Sequence, residues 1–320
     1  MNPSLTVIIP CYNCARTLQE AVDSCYRQGF SPEAFEIVLC NDASTDTTAT
    51  VIEDLQKAHT NIRVITHETN RGGGAARNTA AHAAQAPVIF CLDSDDLLPA
   101  GTLSTMLDYL HTHHLDGVGI HHSIKFRGTD TTDIDRTDTF AHAGERIPLE
   151  NLLQKNHELC SLYSVFMFTK AAFLTCGGYP EHHGFDTQGF AWRFLCAGLS
   201  AHVCPNSSYL HRIEFHQSYY LREYRDGKLN INWQAVLLEH KHLFMKHTIE
   251  FIQTYPVQDF TRSLFFELCR RTEVFLPPTD RQYGQSQIVN TQSSIRPIHR
   301  NSVRGVTLRI INRLHRLWYT

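Results

Sequence analysis

Three carboxylates within four residues are the strongest chemical feature of this sequence. Asp93, Asp95 and Asp96 directly follow the apolar run Phe90–Leu92. Two unit charges about 4 Å apart repel by about 1 kcal/mol in water and by about 4 kcal/mol at an effective dielectric constant of about 20. A half-buried cluster of this kind therefore indicates that a cation binds beside it.

The spacing of Asp93 and Asp95 suits one hard cation. Two residues apart on an extended segment, their side chains project to the same side. Mg²⁺ is usually held by one or two carboxylates together with substrate phosphates. The pair therefore predicts a site for Mg²⁺ or Mn²⁺. An EF-hand is excluded, because Leu98 and Ser104 stand where that loop needs glycine and glutamate. A simpler alternative is that the aspartates cap a helix beginning at Leu97.

Strands and helices alternate in the part of the sequence that leads to this cluster. In the first helix-length segment, Leu18, Ala21, Val22 and Cys25 fall on one helical face, and Gly29 follows as a stop signal. Apolar runs predict four strands: Leu5–Ile9, Phe35–Cys40, Ile62–Thr66 and Pro87–Leu92. This alternation predicts an α/β fold with a mostly parallel central sheet flanked by helices.

A polar cluster follows each of the four predicted strands. In open α/β sheets, ligands bind outside the carboxyl ends of the strands. The clusters should therefore gather along one edge of the sheet, which we call the binding edge. They are Pro10–Asn13, Asn41–Asp46, Asn70–Gly74 and Asp93–Asp96.

The order and spacing of four motifs resemble those of family 2 glycosyltransferases with the GT-A fold. The motifs are Val7–Asn13, Asn41–Asp46, Asn70–Asn78 and Leu92–Asp96. Gly177–Glu181 and His216–Ser218 extend the resemblance, less specifically, to about residue 220. It implies a nucleoside-diphosphate sugar donor, with UDP-sugars favoured, and inverting transfer to the hydroxyl of a glycan or lipid-linked acceptor.

The resemblance also implies roles for individual residues. Asp42 would accept a hydrogen bond from the ring N–H of a uracil-type base, and Pro10 and Tyr12 would line the nucleoside pocket. Arg77 and Asn78 open a helix and would reach the base or the diphosphate. Asp93 would contact the ribose and share the metal with Asp95. These donor-binding and metal-binding residues are Pro10, Tyr12, Asp42, Arg77, Asn78, Asp93 and Asp95.

The motif that would carry the base for the acceptor hydroxyl departs from the family's spacing. Family members carry a Glu-Asp pair six residues before an Arg, whereas Thr187 lies six residues before Arg193 and Asp186 lies one place earlier. We expect Asp186 to be the catalytic base. His182 or His183 are substitutes, Glu181 is a weaker one, and Asp186 could instead cap the helix that follows it.

Three regions are predicted along the chain. Residues 1–100 form the nucleotide-sugar-binding half of the GT-A domain, residues 101–225 the acceptor-binding half, and residues 226–320 a helical C-terminal extension. Within the second region, Thr129–Asp138 is predicted as an exposed loop and Leu162–Thr169 as a strand. A short helix is predicted after this strand, and a further helix over Phe190–Gly198, beyond the turn at Gly177–Pro180.

The C-terminal tail, residues 296–320, has an interfacial composition. Apolar residues share one helical face, arginines flank it, and acidic residues are lacking. One hypothesis is that the tail docks on an anionic inner membrane surface. The alternative is that it packs on its own domain or in a homodimer.

Bulk composition narrows the classes of function. The 29 Lys and Arg nearly balance the 32 Asp and Glu, which argues against nucleic acid as a partner. Because the chain opens without a leader pattern or an apolar run of membrane-spanning length, we expect a cytoplasmic location, and a membrane role would have to be peripheral, on the inner membrane face. Two alternative functions are a non-catalytic sugar-nucleotide-binding relative and, from Gly72–Gly74, a dinucleotide-dependent oxidoreductase that lacks the GxGxxG spacing.

Overall fold

The structure is a computed structural model that describes residues 3–140, 143–148, 162, 165–181, 185–213, 228–240, 246–254 and 256. All of these residues belong to one compact unit that spans Met1–Pro277. The tail, residues 296–320, and most of the predicted C-terminal extension lie outside the described residues.

Ten strands and eight helices are described in this part of the chain. The strands are β1 (Leu5–Cys11), β2 (Phe35–Asn41), β3 (Ile62–Thr66), β4 (Val88–Cys91), β5 (Gly117–Gly119), β6 (His122–Arg127), β7 (Ile134–Thr139), β8 (Phe166–Thr169), β9 (Ala201–Val203) and β10 (Ser208–Ile213). The helices are α1 (Leu18–Cys25), α2 (Thr48–Ala58), α3 (Gly73–Ala83), α4 (Thr102–Thr112), α5 (Lys170–Cys176), α6 (Asp186–Cys196), α7 (Lys228–Glu239) and α8 (Lys246–Thr254).

The main sheet has seven strands in the order β3-β2-β1-β4-β8-β5-β9. Strands β3, β2, β1 and β4 pair in parallel, as do β5 and β9, whereas β8 runs antiparallel to both of its neighbours. The carboxyl ends of β1 to β5 and of β9 therefore meet at one edge. The predicted α/β fold with a mostly parallel sheet is confirmed.

Apolar side chains cover both faces of this sheet. Along β1, Val7 and Ile9 pack in one buried cluster with Leu18 and Val22 of α1, whereas Ile8 packs in a second cluster on the opposite face. Alternation along a strand sends neighbouring side chains to opposite faces, so a strand covered on both faces needs the continuous apolar run that the sequence has. The predicted first helix is confirmed; it ends at Cys25, four residues before Gly29, where φ is 82°.

A second, three-stranded sheet has the order β10-β6-β7. Strand β7 takes up the second half of the segment predicted as an exposed loop, Thr129–Asp138, so that prediction is wrong for this half, while residues 129–133 are exposed and lie outside the strands. The segment is polar because β7 is an exposed edge strand. Its charged side chains pair across the sheet instead of entering the core, as with Lys125 and Asp138 at 2.7 Å. Polar strands of this kind carry no apolar signal.

The remaining predictions for the second half of the chain are partly confirmed. Strand β8 covers only the last four residues of the segment predicted as a strand, and α6 begins at Asp186, four residues before the predicted start. The described residues beyond 227 are helical almost throughout, in α7 and α8, as predicted. None of the helices in the described ranges combines the length and the apolar character that a membrane crossing needs.

Candidate functional site

Asp42, at the carboxyl end of β2, anchors the loop that leads into α3. Its carboxylate is buried and accepts three hydrogen bonds: from Nδ1 of His67 at 2.7 Å and from the backbone N–H groups of Arg71 and Gly72, each at 2.8 Å. Nε2 of His67 in turn contacts Oγ1 of Thr79 at 2.9 Å. The donor-binding role of Asp42 stays a prediction, and the structure adds a structural role that the sequence did not indicate.

The glycine-rich start of α3 lies against the chain around Pro180. A Cβ on Gly74 would overlap the carbonyl oxygen of Pro180 and come within 3.2 Å of the Cβ of Asp186. Only glycine permits this close approach of two backbones. The small residue at this position therefore brings the first turn of α3, and with it Arg77, next to the start of α6.

Arg77 bridges two of the predicted site residues. Its Nη2 donates to Oδ1 of Asp93 at 2.5 Å, and its Nη1 donates to Oδ2 of Asp186. The guanidinium also lies over the ring of Tyr179, with its central carbon 5.9 Å from the ring centroid. Its buried Nε has no hydrogen-bond partner among the described residues. Burial opposes the charge of Arg77, but Asp186 and Asp93 outweigh it, and the pKa of Arg77 is raised.

Asn78 fixes the turn between α5 and α6. Its Nδ2 donates to the Tyr179 carbonyl at 2.9 Å and to Oε1 of Glu181 at 2.8 Å, while its Oδ1 accepts from the Tyr179 N–H at 2.8 Å. Glu181 also pairs with Arg71 at 3.3 Å. In this arrangement both amide protons of Asn78 serve the turn, so its predicted contact with a donor would require one of these bonds to open.

Asp186 is the first residue of α6, and the N-cap is Phe185. Its Oδ1 accepts from the N–H of its neighbour Thr187 at 3.0 Å, and its Oδ2 accepts from Arg77. The alternative that Asp186 is the helix cap is therefore wrong. The substitutes His182 and His183 lie outside the described residues, and the carboxylate of Glu181 is engaged by Asn78 and Arg71. Asp186 as base stays a prediction.

The acidic loop, which we define as Asp93–Asp96, lies at the carboxyl end of β4. No helix begins at Leu97, because α4 starts at Thr102 with Gly101 as its cap, so the capping alternative is wrong. Asp95 is exposed, whereas Asp96 is buried. Burial, followed by repulsion from Asp95 and Asp93, raises the pKa of Asp96 well above its usual range.

Strand β10 runs alongside the acidic loop, which the sequence did not indicate. Leu97 and Leu210 form an antiparallel bridge, and the backbone N–H of Arg212 donates to Oδ1 of Asp96 at 2.9 Å. The buried Arg212 side chain donates to the Asp95 carbonyl at 2.8 Å and to Oε2 of Glu20 at 2.5 Å. An arginine inside the strand segment Ser208–Ile213 was the one available signal.

His211 lies on the same strand, with its Nδ1 3.8 Å from Oδ2 of Asp96 and 2.8 Å from the hydroxyl of Tyr209. Partial burial lowers the pKa of His211 to about 4, helped by the charge of Lys125 and opposed by that of Asp93. The imidazole is therefore neutral near pH 7.

The chemistry of the acidic loop fits a divalent cation that also binds phosphate. Asp93 and Asp95 offer hard carboxylate oxygens, and the repulsion that raises the pKa of Asp96 marks an excess of negative charge. Across the described ranges, no three His, Cys, Asp or Glu side chains are arranged as a complete metal site. In Mg²⁺ sites built on one or two carboxylates, substrate phosphates commonly supply further ligands.

Pro10 and Tyr12 lie where β1 reaches the binding edge. Pro10 pairs with Cys40 of β2, and the Tyr12 side chain is half exposed. Asn13, with φ at 52°, accepts through Oδ1 from the Thr45 N–H at 2.8 Å. The ends of β1 and β2 are therefore tied together beside an exposed aromatic ring, which is compatible with the predicted nucleoside pocket.

Comparison with known families decides where this chain belongs. The family model described as "Glycosyl transferase family 2" matches residues 6–174, which is more than half of the chain. The chain belongs to glycosyl transferase family 2. This membership agrees with the four motifs. It leaves the alternative of a dinucleotide-dependent oxidoreductase without support.

Curated relatives of this family 2 chain match a little over a third of it. It is 35% identical over 119 residues to "Uncharacterized glycosyltransferase EpsJ" of Bacillus subtilis, covering 37% of this chain and 34% of EpsJ. It is 35% identical over 112 residues to the poly(ribitol-phosphate) beta-N-acetylglucosaminyltransferase TarS of Staphylococcus aureus, covering 35% of this chain and 19% of TarS. The matched segments thus cover about a third of EpsJ and about a fifth of TarS.

Solved structures show the same fold as this family 2 chain. TarS residues 1–349 in complex with UDP-GlcNAc superpose with a TM-score of 0.61 at 20% identity, covering 77% of this chain and 69% of that one. The mannosyltransferase PcManGT from Pyrobaculum calidifontis, in complex with GDP-Man and Mn²⁺, gives 0.54 at 21% identity, covering 84% and 70%. The predicted GT-A fold is confirmed.

Proposed function

We propose that this chain transfers a sugar from a nucleoside-diphosphate donor to an acceptor hydroxyl with inversion, assisted by a divalent metal. The acceptor would be a glycan or a lipid-linked molecule. The observation that carries the proposal is the Arg77 bridge, because one guanidinium joins Asp93 of the predicted metal pair to Asp186, the predicted base.

A UDP-sugar is the favoured donor. The closely spaced ends of β1 and β2 present the half-exposed Tyr12 beside Asp42, which suits a stacked base with a hydrogen-bonding edge. TarS was solved with UDP-GlcNAc and PcManGT with GDP-Man, so both nucleotide classes belong in the test.

Asp93 and Asp95 are the residues that would hold Mg²⁺ or Mn²⁺. The bound metal would neutralise charge on the departing diphosphate, a Lewis-acid effect worth several kcal/mol. Asp93 would help to hold the metal while its Oδ1 stays bonded to Arg77. Asp95 is exposed at the binding edge.

Asp186 would accept the proton of the acceptor hydroxyl while that oxygen attacks the anomeric carbon. The bond between this carbon and the diphosphate oxygen breaks in the same displacement, so the configuration inverts. Arg77 would hold the carboxylate of Asp186 in place through the hydrogen bond from Nη1 to Oδ2. General-base assistance of this kind contributes about 10²- to 10⁴-fold to the rate.

The test is turnover of a panel of UDP- and GDP-sugars by the full chain with Mn²⁺, with donor hydrolysis as the basal readout. Asp186→Asn should lower turnover about 10²-fold or more while donor binding, measured by calorimetry, changes little. Asp95→Ala should weaken both. Asp54→Asn, on the exposed face of α2 and paired with Lys57, is the matched control and should behave as wild type.

Two outcomes would count against the proposal. Full activity in the Asp95→Ala variant would remove the metal role of this residue. Donor binding without turnover across the whole panel would favour the second candidate, a non-catalytic sugar-nucleotide-binding relative, to which the irregular spacing of Asp186 points.

A further inference from the structure

One face of the small sheet β10-β6-β7 lies beside the acidic loop. Strand β10 is joined to that loop by the Leu97–Leu210 bridge and by the bond from the Arg212 N–H to Asp96. His211, on β10, lies 3.8 Å from Asp96. Side chains that share the face of His211 are therefore the nearest ones that the second sheet can offer to a ligand of Asp93 and Asp95.

Lys125 occupies this face on the middle strand. In the parallel pairing of β10 with β6 its partner is His211, and in the antiparallel pairing of β6 with β7 its partner is Arg136. Paired residues lie on the same face of a sheet, with neighbouring strands about 4.8 Å apart. The row Arg136, Lys125, His211 thus leads from the outer strand towards the acidic loop, and Lys125 is its inner cation.

A single carboxylate now holds both cations of the row. Asp138 contacts Nζ of Lys125 at 2.7 Å and Nε of Arg136 at 3.1 Å. The side chain of Lys125 is 18% exposed, against 56% for Arg136. Asp138 therefore keeps a largely enclosed ammonium group in place, whereas Arg136 is shared between Asp138 and Asp135, which it contacts at 3.4 Å.

A nucleoside diphosphate at the acidic loop needs such a cation. The diphosphate carries up to about three negative charges, and Asp93 and Asp95 add two, whereas a divalent metal offsets two. Lysine and arginine clamps commonly neutralise phosphate charge that develops during transfer. Arg77 is not free for this task, because it already bridges Asp93 and Asp186.

We propose that Lys125 binds the terminal phosphate of the nucleoside diphosphate and that Asp138 pairs with the same ammonium group while no donor is bound. This inference rests on the proposed function. It assigns to β6 a contact with the leaving group, and to Asp138 the role of a competitor that the phosphate displaces.

The experiment measures the affinity of the full chain for UDP with Mn²⁺ and for uridine, both by calorimetry. Lys125→Gln should weaken UDP about tenfold and leave uridine unchanged, since a charge-assisted hydrogen bond to phosphate is lost. Asp138→Asn should leave UDP affinity unchanged or raise it, because the ammonium group loses its competitor. The control Arg136→Gln, which removes the other partner of Asp138, should keep UDP affinity within about twofold of wild type.

Lys125→Gln is expected to weaken UDP binding and Asp138→Asn is not, although both break the same ion pair. This difference separates a role in binding from a purely structural role. If Lys125→Gln and Asp138→Asn both weaken UDP and lower the melting temperature equally, the pair is only structural and the proposal is overturned. Wild-type affinity for UDP in Lys125→Gln also overturns it, while leaving the proposed function intact. A wild-type chain that binds neither UDP nor GDP overturns both.

Discussion

Arg77 and Asp186 are joined by a direct hydrogen bond between Nη1 and Oδ2, across 109 positions of sequence. The same guanidinium holds Asp93 through Nη2. A planar fork of donors can satisfy two carboxylates at fixed geometry, which a lysine cannot. The relative position of the predicted base and the predicted metal ligand therefore depends on this one side chain.

Substitutions of Arg77 should separate its contribution to turnover from its contribution to stability. Arg77→Ala should reduce turnover by about 10²-fold or more, because small misplacements of reacting groups carry penalties of that size. It should also lower stability by about 1–3 kcal/mol, since two half-buried carboxylates lose their cation. Arg77→Lys should recover most of the stability and little of the turnover. Steady-state kinetics and thermal melting check this, and equal recovery of both would contradict it.

Replacing Gly74 should disturb the contact between α3 and the chain around Pro180. Gly74→Ala places a methyl group against a backbone carbonyl that has no rotamer to move away, which should cost about 1–3 kcal/mol. Gly73→Ala is the matched variant, because its Cβ meets only the ends of the Arg77 and Asp186 side chains, each at 2.7 Å. It should fold with nearly wild-type melting temperature and lose activity. Equal melting temperatures for the two variants would contradict the contact.

Asp42→Asn should weaken the loop that precedes α3. Asparagine has one carbonyl oxygen where the carboxylate accepts from His67, Arg71 and Gly72, so at least one amide proton would face another donor. We expect a loss of about 1–3 kcal/mol, seen as a melting temperature several degrees lower, together with weaker uridine binding. Unchanged melting with lost uridine binding would show that Asp42 acts on the base alone.

His202, on β9, should make stability depend on pH. Burial, followed by the charges of His113 and Arg146, lowers the pKa of His202 below its ordinary value near 6.5. The unfolded chain therefore takes up the proton first, and stability falls as pH drops below about 6.5. The melting temperature of His202→Gln should accordingly fall less than that of wild type between pH 7 and 5. Tyr109→Phe, which removes the 3.4 Å contact to His202 but not the titrating group, should follow wild type.

The membrane hypothesis for residues 296–320 can be tested without any structural detail. Full-length chain should co-sediment with liposomes rich in anionic lipid, and a version ending at residue 295 should not, because interfacial helices rich in arginine bind such surfaces. Equal partitioning of the two versions would end the hypothesis and favour packing on protein. A cytoplasmic location and a homodimer remain predictions as well.

The parallel half of the fold followed from the sequence because its signal is local. Strands buried on both faces need uninterrupted apolar runs, and β1 and β2 have them. Glycines and small residues before Arg77 likewise indicated a helix that begins at a binding edge. These features depend on a few neighbouring residues, and one sequence suffices to read them.

The contacts that depend on distant partners could not be predicted. Strand β7 is polar on both faces and gains its order from pairing with β6, so its sequence resembles a loop. Arg212 meets the acidic loop only because β10 lies next to Leu97, and Asn78 meets Tyr179 across 101 positions of sequence. Contacts between residues so far apart in sequence produce no periodic pattern around either residue.

The bridge between Leu97 and Leu210 connects the acidic loop directly to strand β10 of the three-stranded sheet. Arg212 reinforces the same junction, because its backbone N–H bonds to Asp96 and its side chain to the Asp95 carbonyl. A bulky acceptor bound against β7 would thus also displace Asp93 and Asp95, the carboxylates predicted to hold the metal beside the leaving group.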